Sequence, residues 1–191
     1  ADLLVATVRS FVQLIAVGYA LELIFAGDNP LFTLALLALM TIIAARVTAR
    51  RGARTPNAHL IALASIGIGS ALTIASLVAL GVFPFDPQHI IPIGGMIIGN
   101  AMTTAGLVMS RLGDDFRDQR GAVESLLALG ATSQQASLLQ FRRALRGAMI
   151  PVIDTTKTVG LIKLPGAMTG MILAGASPLE AVKIQMIVMY M

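Results

Sequence analysis

The chain has 191 residues, 56% of them apolar, 13% charged and 5% aromatic, with no Cys, no Trp and a net charge of +4. An average soluble domain is about 45–50% apolar and about 25% charged. The scarce charge and the mean hydropathy of +0.82 exclude disorder and argue against a water-soluble globule, and the absence of Cys excludes a disulfide framework, a Cys-ligated zinc site and an iron–sulfur cluster.

Four stretches are long enough for a bilayer, which takes about 20 mostly apolar residues. The first runs from Leu3 to Ala26 and is interrupted by Arg9, Gln13 and Glu22. Arg9 is placed to snorkel, with Gln13 on its face. Glu22 reads as a rim residue or a vestibule charge. The second span runs from Leu31 to Ala45, the third from His59 to Phe83 and the fourth from Ile90 to Met109. The repetition excludes a secretory signal peptide. His59 and His89 are solitary, at span ends on opposite sides, and read as interfacial; no residue is assigned to a metal.

The connectors alternate in character. Gly27-Asp28-Asn29-Pro30 and Phe83-Pro84-Phe85-Asp86-Pro87-Gln88 carry no Lys or Arg. Arg46 to Asn57 carries Arg46, Arg50, Arg51 and Arg54, and Ser110 to Arg146 carries Arg111, Arg117, Arg120, Arg142, Arg143 and Arg146. These two connectors hold 10 of the 14 Lys and Arg, so the positive-inside rule makes both cytoplasmic. The pI near 10.1 is therefore a topology signal, and nucleic acid is not implied.

Small residues recur at four-residue spacing in Ser65/Gly69, Gly95/Gly99, Ala101/Ala105 and Gly166/Gly170. Such pairs form packing seams between helices in lipid, or thin a helix beside a pathway. Met96, Met102, Met168 and Met171 are gap fillers or soft ligands. Asn100, flanked by Gly99 and Thr103-Thr104, lines a pathway or bridges two helices.

The connector from Ser110 to Arg146 has internal order. Asp114 to Leu129 predicts an amphipathic helix with Val123, Leu126, Leu127 and Leu129 as its apolar positions. Gly130 suits the C′ position that ends it. Thr132-Ser133-Gln134-Gln135 predicts a capping box with Thr132 as N-cap. A second short helix follows, carrying Ala136, Leu138, Leu139 and Phe141. The apolar face of this pair calls for a soluble partner, the membrane surface or the protein's own helix ends.

On a helix over 142–163, Arg143, Arg146, Asp154, Lys157 and Thr158 share one arc. Asp154 and Lys157 stand three apart and are able to pair. If the helix rises into the membrane, the arc lines a translocation route, because ionisable groups at that depth face the interior or a cavity. If it lies at the interface, the arc is solvated. Leu164 to Gly175 is too short to cross and predicts a broken or re-entrant element. The apolar run from Val182 to Tyr190-Met191 is also short, which suggests an internal piece truncated at both ends. The expectation is an all-α, polytopic transmembrane bundle: one domain over 1–191, with a two-helix loop over 110–146. No HExxH, GxSxG or Walker A pattern occurs, so no catalytic residue is assigned.

The run Glu124-Ser-Leu-Leu-Ala-Leu-Gly130-Ala131-Thr132, followed by Pro151, resembles the cytoplasmic "EAA…G" loop of ATP-binding-cassette (ABC) permeases, with Ser125 and Leu126 where the generic motif has two Ala. Ile91-Pro-Ile-Gly-Gly-Met-Ile-Ile-Gly-Asn-Ala-Met102, Leu129-Gly-Ala-Thr-Ser-Gln-Gln-Ala136 and Ile150-Pro-Val-Ile-Asp-Thr-Thr-Lys-Thr-Val-Gly-Leu161 are similar to the iron-export permease FetB family. So is Leu164-Pro-Gly-Ala-Met-Thr-Gly-Met-Ile-Leu-Ala-Gly175, with Ser177-Pro178 and Ala181. Plant aluminium-tolerance membrane subunits resemble it too. The resemblance implies a permease subunit that is not itself an enzyme, in a bacterial inner membrane, exporting iron or another metal. It implies a separate ATPase subunit as partner, two permease copies, and no cofactor on this chain beyond ATP at that partner. Glu124, Leu127, Gly130, Ala131 and Thr132 would couple to the ATPase. Asn100, Asp154, Lys157, Thr158 and Met168 are the candidates for the pathway. An ATP-independent channel or secondary carrier is the competing reading.

Overall fold

The helix boundaries follow punctuation written into the sequence. The computed structural model describes residues 2–27, 30–52, 56–160 and 165–190. Among these it holds eight helices and no strand: α1 (Asp2–Gly27), α2 (Pro30–Arg51), α3 (Ala58–Ala79), α4 (Pro87–Asp118), α5 (Arg120–Ala128), α6 (Ser133–Thr158), α7 (Gly166–Leu173) and α8 (Pro178–Tyr190). Asp28, Asn29, Arg54, Lys163 and Leu164 lie outside the described residues, and with them parts of the expected first turn and of the broken element.

Pro30 opens α2 and Pro87 opens α4, where a missing N–H costs nothing and φ is already helical. Asp86 caps α4, its carboxylate accepting the His89 N–H at 2.8 Å. The third span ends earlier than expected, at Ala79 rather than Phe83. Gly81 takes φ 67°, its N–H donates to the Val78 carbonyl, and the Val82 N–H donates to the Leu77 carbonyl. These two bonds form a Schellman stop, which a glycine permits at little steric cost. Phe83 is turned back into the protein and is buried.

The fourth span runs on well past Met109 to Asp118. At 1.5 Å per residue, its 32 residues extend about 48 Å, against about 33 Å for the 22 residues of α2. Three helices, α2, α3 and α4, are long and apolar enough to cross a membrane among the described residues. They form the centre of the bundle, with α6 packed on α4.

The helices α2 and α4 run side by side in the same direction. Gly94 admits Leu37, and a Cβ at Gly95 would lie 3.1 Å from Met40 Cε. Further along, the Thr48 hydroxyl donates to the Met102 carbonyl at 3.3 Å. Arg51 lies over Gly106, and Met109 lies against Gly52. Leu37, Ala44, Ile66, Ile90 and Ile98 form one buried cluster. Ala45, Ala49, Ala58, Ala62 and Met109 form a second, whose alanines let the three backbones close up near the Arg-rich end.

The packing face of α3 is Ala58, Ala62, Ile66 and Ser70. Ser65 and Gly69 face outward, so the seam expected from that pair is not used within the chain. Each stands one residue before a member of that face, Ile66 or Ser70, and is therefore turned about 100° away from it. Gly166 and Gly170 likewise meet nothing within 4 Å. The 8-residue α7 packs mainly on α8, and α1 touches the bundle only lightly through α4.

Candidate functional site

The expected helix over 114–129 is divided. It breaks at Gln119, with φ −105° and ψ 19°, between the end of α4 and the start of α5. Asp114, Asp115 and Asp118 crowd the C-terminal end of α4, where the helix dipole disfavours acids, whereas Asp118 just before α5 is favoured. Inside α5, the Arg120 Nε donates to Glu124 Oε1 at 2.7 Å, one turn apart. That bond holds the Arg120 guanidinium pKa above its ordinary value.

The end of α5 is built as the sequence predicts. Gly130 takes φ 89° at C′. Its N–H donates to the Leu127 carbonyl and the Ala131 N–H to the Leu126 carbonyl. Thr132 then caps α6 in a capping box: the Gln135 N–H donates to the Thr132 hydroxyl at 3.3 Å and the Thr132 N–H to Gln135 Oε1 at 2.9 Å. Glu124, Leu127, Gly130, Ala131 and Thr132 are thus brought together on one rigid corner, all exposed save the half-buried Ala131.

The second helix of the corner is not short. It is the start of α6, which continues unbroken for 26 residues to Thr158. Its buried face is Ala136, Gln140, Ala144, Gly147 and Ala148. Leu138, Leu139 and Phe141 remain exposed, as do Leu126, Leu127 and Leu129, the last at 85%. Small residues bring the α6 and α4 backbones close, so the large apolar side chains are displaced outward. Gln140 is 2% exposed, with no hydrogen-bond partner for its Oε1. The i, i+4, i+8 spacing of Ala136, Gln140 and Ala144 was the available signal for this face.

Because α5 joins them by a short turn, α6 runs back along α4. Arg111 of α4 folds over Gly147 of α6 and sets their register. Asn100, Asp154 and Lys157 are exposed and Thr158 is half-buried. The Thr158 hydroxyl is turned back to the Asp154 carbonyl at 2.9 Å. The Asp154–Lys157 pair that the spacing allows is not formed: among the described residues the close acid–base contacts are His89–Asp86 and Arg120–Glu124. Both side chains stand in open space, where solvation competes with pairing. Met168 lies on α7, which packs chiefly on α8. Among the described residues, no three His, Asp or Glu come together to hold a metal ion.

At the opposite end, His89 Nδ1 approaches both Asp86 carboxylate oxygens, at 2.7 and 2.9 Å. This contact first, and the capped His89 N–H second, hold the Asp86 carboxyl below its ordinary pKa.

A family described as "Uncharacterised protein family (UPF0014)" matches residues 1–191. The chain is 48% identical to the "UPF0014 membrane protein STAR2" of Oryza sativa subsp. japonica, across 100% of this chain and 67% of that protein. It is 46% identical to "Protein ALUMINUM SENSITIVE 3" of Arabidopsis thaliana, across 100% of this chain and 70% of that one. It is 39% identical to the "Probable iron export permease protein FetB" of Escherichia coli (strain K12), across 100% and 73% respectively. No solved structure matches.

Proposed function

The chain belongs to the UPF0014 family of membrane proteins, and from that premise we propose that it is the membrane-spanning permease subunit of an ABC transporter. A separate subunit hydrolyses ATP, and two copies of this chain pair with two ATPase chains. The cargo is iron or another metal, moved outward, as the printed name of the Escherichia coli relative suggests.

The observation that carries the reading is the corner made by α5, Gly130 and Thr132. A helix of nine residues, stopped by a glycine and followed directly by a helix that opens on a capping box, forms a compact lever. It stands beyond the end of α2 because α4 is ten residues longer and leads into it. It presents Leu126, Leu127 and Leu129, all exposed among the described residues. A soluble ATPase with an apolar groove would bury them, and motion of that groove would be passed to α4 and α6 through the short turns at Gln119 and Gly130. Arg-rich connectors at this end agree with a cytoplasmic face. The pathway in this reading follows the α4–α6 edge, past Asn100, Asp154, Lys157 and Thr158.

The test is co-purification of the full complex with its ATPase, with and without Glu124→Arg and Gly130→Pro. The first substitution sets like charges on Arg120 and position 124. The second demands φ near −65° where the backbone holds 89°. Both are expected to lose the ATPase and ATP-dependent transport. Full binding and transport in both variants rejects the coupling role.

A further inference from the structure

Arg111 folds onto Gly147 in a position that no ordinary side chain would leave open. A Cβ at Gly147 would meet its Nη1 and lie 3.1 Å from its Cζ and 3.2 Å from its Cδ. Arg143 stands one turn before Gly147 on the same side of α6, and Arg146 stands next to it; both are exposed. Arg143 and Arg146 thus flank the notch along α6. None of the three arginines is in an ion pair among the described residues, although Asp114 and Asp115 follow Arg111 within about one turn of α4. The Arg111 guanidinium is seated rather than free. The same device recurs on the other side of α4, where a Cβ at Gly106 would lie 2.9 Å from Arg51 Cδ.

The depth of this edge is fixed by its neighbours. Gly106 faces the last residue of the apolar helix α2, and Arg111 follows little more than one turn later. With α2 and α4 as spans, this level lies just past the apolar run of α2, on the headgroup side of the bilayer. The exposed leucines of α5 lie further out, beyond the end of α4. Along α6 in the other direction, Ile150 and Ile153 continue the ridge of Arg146 at i+4 and i+7, and are 50% and 45% exposed. Guanidinium groups at one end and exposed branched apolar side chains at the other match the two ends of one lipid. Guanidinium binds phosphate oxygens in a bidentate fork, and basic pockets between transmembrane helices take anionic headgroups.

We propose that Arg111, seated in the Gly147 notch and flanked by Arg143 and Arg146, binds the phosphate of an anionic phospholipid in the leaflet at the Arg-rich end, with an acyl chain along Ile150 and Ile153. The binding is specific to this edge because the notch fixes the guanidinium. It does not depend on coupling to an ATPase.

The test uses the full chain in neutral detergent, titrated with phosphatidylglycerol, phosphatidylcholine or inorganic phosphate. Bound lipid is counted by native mass spectrometry and the unfolding midpoint is followed. Wild type is expected to bind phosphatidylglycerol at least about tenfold more tightly than phosphatidylcholine, a difference typical of one charge-assisted bond. Gly147→Ala keeps every charge but displaces Arg111, and is expected to lose most of that preference. Arg111→Gln, which leaves the notch intact, is expected to do the same. Arg120→Gln removes one charge on α5 and is expected to change nothing. Loss of preference in Arg120→Gln equal to that in Arg111→Gln would mean a diffuse charge effect and overturn the site. So would an unchanged preference in Gly147→Ala and Arg111→Gln. Equal protection by inorganic phosphate alone would make the ligand a free anion and overturn the lipid assignment.

Discussion

Thr132 and Gln135 exchange two hydrogen bonds across the first turn of α6, at 2.9 and 3.3 Å, and so hold the start of α6 in place. Replacing the cap hydroxyl leaves a helix N–H without its partner. Thr132→Ala is expected to destabilise the start of α6 by about 1 kcal/mol, while Thr132→Ser restores most of it. Hydrogen exchange at the Gln134 and Gln135 amides reads this directly. Unchanged protection in the Ala variant would show that the box contributes nothing.

Gly130 is the stop of α5 and holds φ 89°. Gly130→Ala places a Cβ in a left-handed backbone at a cost of about 1–2 kcal/mol. No neighbour lies within 4 Å of that Cβ, so the cost comes from the backbone alone. Gly130→Asn is expected to be milder, since Asn tolerates this region. The unfolding midpoint should fall in the order Gly, Asn, Ala; equal loss in both variants would point to a steric cause.

Glycines that look alike in the sequence should respond differently. Gly94→Ala drives a methyl group into Leu37 between α2 and α4, and overpacking of this kind costs about 1–3 kcal/mol. Gly166→Ala meets nothing within 4 Å and is expected to be neutral or slightly stabilising. Thermal unfolding in detergent compares the two.

The pH dependence at the far end follows from Asp86. Its folded pKa is lowered from the ordinary 3.8, chiefly by His89. A lowered carboxylate contributes stability that is fully present above the unfolded value and is lost as pH falls through the folded one. The cap on α4 is therefore expected to hold from neutral pH down to about 4 and to weaken below that. Asp86→Ala should remove its contribution throughout, so the difference from wild type shrinks only at the acid end. A difference that already collapses between pH 7 and 5 would contradict this assignment.

Asp154 and Lys157 stand apart in open space rather than pairing. If they line the pathway, Asp154→Asn and Lys157→Gln should each lower transport and leave stability and ATPase binding unchanged. If they paired, the double variant would recover what each single one loses. Transport assays on all three, with binding measured alongside, separate these outcomes.

Much of the architecture was legible because its causes are local. Proline at a helix start, glycine at a stop and a Thr-x-x-Gln box act over three or four residues. Gly130, Thr132 and Gln135 do what their spacing predicts. The apolar runs identified the spans for the same reason, and the grouping of arginines fixed which connectors share an end. What remained hidden depends on residues far apart in the chain. That Ala136, Gln140 and Ala144 are buried while Leu138, Leu139 and Phe141 are not is decided by how closely α4 approaches. That Ser65 and Gly69 form no seam is decided by the rotation of α3 about its own axis. The seating of Arg111 on Gly147 joins two residues with no local signal between them. Sequence determined the class, the helices and their caps, through propensity and period. Only the tertiary structure decided which faces meet and which charges stay unpaired, because helix packing selects surfaces by shape once the apolar character of every face is alike.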